Sequence, residues 1–276
     1  MTSNTYYDSD QTRRPLVSEF QNLWENRGLI RLIVGRDLTL RYKRSTLGIW
    51  WTLLNPLLTT GVMWIVFGKI FRFDVGEGIP YIVYLLSGIL LVTFFSQATI
   101  ASGSAIVGNA AVLSKVYVPP EVFSVSAALS AAANFMISII ILFFVQIVTG
   151  VGIPWTVILI PIPVLAMLGL AAGLGLLIAA AAVHFFDVID LASVFIQLVS
   201  YLTPSFYPIS IIPESFLIVI YLNPLYSYLA VFRGFMYEGR FVDWWMFAYM
   251  GATSILTLLV GVWVFSRSWR SLVVLL

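Results

Sequence analysis

The chain has 276 residues, 60% of them hydrophobic and only 10% charged, with a mean hydropathy of +0.97. A soluble domain is about half apolar and a quarter charged, so this composition excludes a water-soluble globule and marks an integral membrane protein. The net charge of +2 comes from basic residues clustered beside an apolar span, where lipid headgroups rather than nucleic acid are the natural partner, and the absence of cysteine excludes a disulfide framework, a thiolate nucleophile and a cysteine metal site.

Residues 1–26 are polar at their start and lack the apolar core of a signal peptide; they read as a mobile cytoplasmic tail. Residues 27–47 read as an interfacial helix, because charges recur across Gly28 to Ser45 too densely for a bilayer core. Leu29, Ile30, Leu32, Ile33 and Val34 form an apolar block with Arg27 and Arg31 on one face, and after Gly35 the residues Leu38, Leu40 and Tyr42 alternate with charge. Alternation would suit a strand, but a lone strand at the membrane surface leaves both edges unpaired. A helix bent near Gly35 is therefore expected.

A bilayer core of about 30 Å takes about 20 apolar residues per helix, and that ruler divides residues 48–276 into six spans. The first runs from Ile49 to Ile70 and the second from Ile79 to Ala101, with room to extend to Gly108. The segment 108–121 follows, with one positive charge at Lys115 and the pair Pro119 and Pro120 at its end. That pair suits the start of the third span, which ends near Thr149 and Gly150. The fourth span covers Pro154 to His184 and the fifth Leu191 to Pro204, short because Pro204 and Pro208 interrupt it. The region 205–238 is apolar but broken by Pro208, Pro213, Glu214, Asn223 and Pro224. Two short helices, Glu214 to Tyr221 and Pro224 to Tyr237, forming a re-entrant hairpin on the outer side, fit this punctuation better than a seventh span. The sixth span is Trp244 to Phe265. The fold class expected is thus an all-α membrane protein, since no segment shows the alternation of a transmembrane barrel.

Charge sets the orientation. Arg13, Arg14, Arg27, Arg31, Arg36, Arg41, Lys43 and Arg44 precede the first span, which places the N-terminus in the cytoplasm. Six spans return the C-terminus to the same side, where Arg267 and Arg270 close the last helix. Lys69 and Arg72 fall on the other side, with Asp74 and Glu77 close by. Trp50 and Trp51 at one face and Trp244 and Trp245 at the other suit aromatic belts.

The cores of the six spans contain no Asp, Glu, Lys or Arg other than Lys69 near an end, so there is no visible proton or cation relay of the kind that ion-driven transporters bury. Asn55, Gln97, Asn134, Gln146 and Gln197 are neutral polar groups suited to interhelical hydrogen bonds, and Gly169 with Gly173 forms a small-xxx-small pair suited to close packing. Neither a phosphate-binding GxxxxGK[ST] loop nor HExxH is present. The single His184, near Asp187 and Asp190, reads as a helix-end residue without a nucleophile beside it.

Three separated blocks, RDLTLRYKRSTLGIWWTLLNPLL from Arg36, NAAVLSKVYVPPE from Asn109 and SFYPISIIPESFLIVIYLNPLYSYLAVFRGFMYEG from Ser205, resemble the membrane subunits of ABC-2-type polysaccharide exporters. That group includes the O-antigen, teichoic acid and galactan exporters. The resemblance implies a bacterial plasma-membrane permease exporting a lipid-linked polysaccharide, working as a homodimer with two copies of a separate ATPase that binds ATP and Mg. This chain itself would need no cofactor or metal and perform no covalent chemistry. It further implies a cytoplasmic gate at Arg36, Arg41, Lys43 and Arg44, ATPase coupling through Asn109, Leu113, Lys115 and Tyr117, and an outer gate in the hairpin. Spans one and five would line the channel, with Trp50, Trp51, Phe94, Phe95, Tyr201, Phe206 and Tyr207 as rings for sugar faces; core packing or lipid contact is the alternative role of each. One departure is Phe186 before Asp187, where many such proteins carry Arg. A permease for a small lipid or drug, and an intramembrane enzyme using His184, Asp187, Asp190 and Glu121 on lipid-linked sugar, are the competing functions.

Overall fold

A computed structural model of the chain describes residues 21–43, 45–73, 75–76, 78–115, 118–185 and 187–275. Arg44, Asp74, Glu77, Tyr117, Phe186 and the tail to residue 20 lie outside the described residues. Among those described there is no strand. The helices are α1 (Arg27–Tyr42), α2 (Trp50–Met63), α3 (Tyr81–Gly108), α4 (Ala110–Leu113), α5 (Glu121–Val148), α6 (Pro161–Ala182), α7 (Asp187–Leu202), α8 (Glu214–Leu222), α9 (Pro224–Arg233) and α10 (Trp244–Leu275). α2 runs on as a π-helical turn over Trp64–Ile70, α9 likewise over Gly234–Glu238, and α6 is entered through a 3-10 turn at Trp155–Leu159.

Among the described residues, five helical segments are long and apolar enough to cross a membrane, and six if the bent pair α8 and α9 is taken as one span. They match the expected first, second, third, fourth and sixth spans within a few residues. α5 starts at Glu121 directly after Pro120, where the double proline predicts a helix entry. The expected fifth span is α7, and its 16 residues reach only about 24 Å at 1.5 Å per residue, short of a bilayer core. The two helices foreseen between residues 205 and 238 form as α8 and α9, bent by 88°. Asn223 makes that bend. Its Oδ1 accepts from the Leu225 N–H at 3.1 Å, its Nδ2 donates to Thr203 Oγ1 at 2.8 Å, and Pro224 occupies the first helical position, where no N–H is needed.

α3, α5, α6 and α10 form the packed body. Lipid tails are as apolar as the side chains, so helices in a bilayer are held by close van der Waals contact rather than by exclusion of water. Gly173 meets that need: a Cβ there would lie 2.5 Å from the carbonyl of Thr257, and one on Gly261 would lie 2.3 Å from the carbonyl of Gly173. The small-residue stripe thus packs α6 onto α10. Phe94 of α3 stacks on Phe135 of α5 at 4.7 Å between centroids, and Phe135 meets Phe232 of α9 at 5.8 Å.

α1 lies along the first half of α5. Asn22, in a helical turn over residues 21–25, donates to Glu121 Oε1 at 3.2 Å. Ile33 is buried with Val122 and Phe123, and Leu23, Leu29 and Ile30 pack against them. Further along, Ser130 Oγ donates to Asp37 Oδ2 at 3.4 Å and Tyr42 Oη to Asn134 Oδ1 at 2.7 Å. These contacts ascend α5 by about 20 Å. The apolar block that the sequence places before Gly35 is what docks α1, and the docked chain begins at residue 22, inside the stretch read as tail. α2 is held loosely by comparison. Thr60 is its one buried residue, while most of α3 is buried.

Candidate functional site

A cleft of about 220 Å³ opens between α1, α2, α3 and α5. Its polar lining arises from helical spacing: Thr52 and Asn55 on α2, Thr93 and Gln97 on α3, and Asn134 and Ser138 on α5 each stand three or four residues apart, which puts both members on one face. Rings fill the gaps between these pairs, with Tyr42, Trp51, Phe94 and Phe135 on the wall. Among the described residues, Arg41 contributes the one charged side chain of the lining.

The two ends of this wall differ in their hydrogen bonding. Tyr42 Oη donates to Asn134 Oδ1 and stands 2.5 Å from Thr52 Oγ1, so one phenol joins α1, α2 and α5. Ser138 Oγ bonds the Asn134 carbonyl at 2.9 Å and the Thr52 carbonyl at 3.4 Å. By contrast, Asn55, Thr93 and Gln97 are exposed in the cleft, and among the described residues their side chains make no hydrogen bond within the chain. Two carboxamides and a hydroxyl thus face the cavity with unused donors and acceptors. Such a surface can bind neutral, hydroxyl-bearing groups weakly and from several directions, and the exposed ring of Trp51 beside it offers an apolar face for stacking.

Among the described residues, the cleft lining holds no His, Cys, Asp or Glu. No group of three or more His, Cys, Asp or Glu among the described residues stands close enough to hold a metal. His184 lies in the turn after α6, with Nδ1 3.2 Å from the carbonyl of Ala180 on that same helix. Asp187 and Asp190 sit in the first turn of α7, at a helix end where negative charge is favoured.

The sequence-derived site residues separate into groups. Trp50 and Trp51 are 61% and 52% exposed, and Trp51 lines the cleft. Phe94 borders it too, but at 2% exposure it belongs to the apolar core together with its neighbour Phe95 at 3%. Tyr201, Phe206 and Tyr207 occupy a different place. Tyr201 ends α7 exposed and accepts from Gln197 Nε2 at 3.0 Å, and Phe206 and Tyr207 follow in irregular backbone held against the start of α3. Tyr84 and Phe94 are ten residues apart on α3, so within one chain about 15 Å of helix separates the two aromatic groups. Of the basic residues, Arg36 pairs with Asp37 at 2.9 Å, Arg41 faces the cleft, and Lys43 is exposed just after α1. Asn109 ends α3, its Nδ2 donating to the Ala105 carbonyl at 2.7 Å. Leu113 packs against two of the smaller apolar clusters, and Lys115 is exposed in the turn after α4.

Sequence reasoning passed over Tyr42, whose hydroxyl has no signal in an alternating basic stretch, and Arg233. The latter is 6% exposed and lies 3.5 Å over the ring of Tyr84. The only sequence hint was the spacing Tyr81, Tyr84, Ser87, which puts three polar groups on one face of an apolar helix.

Comparison with known proteins agrees with this architecture. The ABC-2 type transporter family matches residues 28–237. The O-antigen export system permease protein RfbA of Myxococcus xanthus is 30% identical over 230 residues, 83% of this chain and 87% of that protein. A protein of the same description from Klebsiella pneumoniae is 26% identical over 87% of this chain and 91% of its own length. The capsule polysaccharide export inner-membrane protein CtrC of Neisseria meningitidis is 26% identical over 61% of this chain and 64% of its own. The family match takes in everything from α1 through the π-helical turn after α9, and so the chain belongs to the ABC-2 type transporter family.

Proposed function

We propose that this chain is the membrane subunit of an ATP-driven exporter that carries a lipid-linked polysaccharide from the cytoplasm to the outer face of a bacterial plasma membrane. The observation that carries the proposal is the cleft wall, with its unbonded Asn55, Thr93 and Gln97 beside the exposed ring of Trp51. A glycan presents hydroxyls and apolar ring faces by turns, and it must be held weakly enough to keep moving. Neutral hydrogen-bonding groups interleaved with aromatic rings answer both demands. The similarity to O-antigen permeases along most of both chains supports the same substrate class.

In this proposal both termini are cytoplasmic, α1 lies at the inner interface, and α8 with α9 forms a re-entrant hairpin at the outer face. Arg36, Arg41, Lys43 and Arg44 form a basic cytoplasmic gate, and the segment 108–121 meets the ATPase. The sequence carries no nucleotide-binding loop, so a partner supplies ATP hydrolysis and holds the nucleotide and its Mg. One packed body of this size leaves no bore for a glycan. The exposed faces of α2 and α7 suit a second copy of the chain, with the path between the two subunits and one ATPase bound to each.

The proposal is tested by purifying the chain with its ATPase and measuring hydrolysis in lipid nanodiscs. Stimulation by a lipid-linked glycan, with none by small amphipathic drugs, is the expected result. The reverse pattern would overturn it in favour of a drug or small-lipid permease.

A further inference from the structure

The backbone between α7 and the following 3-10 turn is held in an unusual way. Four successive carbonyls, of Pro204, Ser205, Phe206 and Tyr207, each accept from a side chain outside the segment. Arg233 Nη1 donates to the Pro204 carbonyl at 3.0 Å and Nη2 to the Ser205 carbonyl at 3.4 Å. The Tyr84 hydroxyl stands 2.8 Å from both the Pro204 and Tyr207 carbonyls, and the Tyr81 hydroxyl bonds the Phe206 carbonyl. The guanidinium is completed by the Tyr84 carbonyl at 3.1 Å and Ser87 Oγ at 3.2 Å. Among the described residues no carboxylate pairs with it.

Irregular backbone at membrane depth persists only where protein satisfies its polar groups. Here the partners come from two elements, α3 and α9, and hold one strap. Contact is close enough that a Cβ on Gly88 would lie 2.8 Å from the carbonyl oxygen of Ser205. The planar fork of arginine suits a role in which several carbonyls at fixed angles must be met at once, which the single ammonium of lysine cannot reproduce. Tyr207 is secured from the other end as well, its hydroxyl donating to the Leu202 carbonyl at 3.1 Å.

We infer that Arg233, with Tyr81 and Tyr84, is a positioning clamp that fixes the strap 204–207 and so sets where the rings of Phe206 and Tyr207 stand at the outer mouth of the transport path. The role in transport rests on the function proposed above, but the clamp itself does not. With the strap fixed, the two rings form a rigid rim past which a glycan slides. With the clamp released, the rim yields, and ATP is hydrolysed without a matching advance of substrate.

The absence of native cysteine allows a clean test in the reconstituted complex with its ATPase. Ser205 is fully buried, so Ser205→Cys is a near-isosteric reporter that a maleimide does not reach while the strap is seated. Arg233→Gln and Tyr84→Phe in that background are expected to raise labelling at least fivefold and to halve, or worse, the glycan moved per ATP hydrolysed, with Arg233→Lys recovering only part of either. Tyr84→Phe changes no charge, so it keeps the test open should Arg233→Gln fail to assemble. Unchanged labelling in both variants would overturn the clamp. Increased labelling with unchanged glycan per ATP would overturn its part in transport. A parent complex that labels as expected but moves no glycan would overturn the proposed function instead, leaving the labelling to judge the clamp.

Discussion

Tyr42 Oη donates to Asn134 Oδ1 across 2.7 Å, tying the last turn of α1 to the middle of α5. The same hydroxyl stands 2.5 Å from Thr52 Oγ1 in the first turn of α2. A helix rich in charge is thereby pinned to the wall of the cleft at the point where the first span begins, and any shift of α1 is felt by that wall. A double-mutant cycle of Tyr42→Phe and Asn134→Ala, read by unfolding in mixed micelles, is expected to give a coupling of about 0.6 kcal/mol and at most about 1.7 kcal/mol, the range for interhelical hydrogen bonds in membranes. Additive effects would mean that the bond does not hold α1 in place.

Asn55, Thr93 and Gln97 hold nothing else in the described chain, so removing their polarity separates function from stability. Asn55→Leu, Thr93→Val and Gln97→Leu are each expected to leave the unfolding midpoint nearly unchanged, within about 0.5 kcal/mol. Each lost glycan contact of roughly 0.5 to 1.5 kcal/mol should raise the KM for lipid-linked glycan by about two- to tenfold. Equal KM values in the three variants would remove the cleft from the transport path.

The contact between Gly173 and Gly261 predicts a sharp contrast within one helix pair. Gly261→Ala drives a methyl into the Gly173 backbone and should destabilise the protein by about 1 to 3 kcal/mol, as overpacking does. Gly251→Ala on the same α10 meets nothing within 4 Å and should be neutral or slightly stabilising. Thermal unfolding of the two purified variants checks this. Similar losses in both would contradict backbone contact between α6 and α10.

Orientation is testable with the cysteine-free background. Ser114, after α4, and Ser210, in the turn before α8, are both exposed. In intact cells an impermeant maleimide should label Ser210→Cys but reach Ser114→Cys only after permeabilisation. Labelling of Ser114→Cys from outside would reverse the proposed topology.

Much of this fold was legible in the sequence because the signals were local. Pro119 and Pro120 announce α5, Asn223 and Pro224 announce the bend between α8 and α9, and Gly169 with Gly173 marks the face of α6 that packs. The site was legible only in part. Phe94 and Phe95 lie side by side on a helix that is apolar on every face, so periodicity gives no rotational phase to show that both rings are buried in the core and that Phe94 alone of the two borders the cleft. Arg233 was missed for a different reason. A buried cation is normally betrayed by a nearby carboxylate, whereas here backbone carbonyls about 30 residues earlier and 150 residues earlier in the chain solvate it, and carbonyls leave no mark in a sequence. Residues 21–25 carry no sign of docking in the sequence because their anchor, Glu121, lies 99 positions from Asn22.

The central claim, that this chain and an ATPase together move a lipid-linked polysaccharide outward, is tested most directly in proteoliposomes with the ATPase facing the bath. Lipid-linked glycan presented to the outer leaflet should become protected from an added glycosidase only with ATP and only when both subunits are present. Protection without ATP, or none in a complex whose ATPase is active and stimulated by the glycan, would contradict the account.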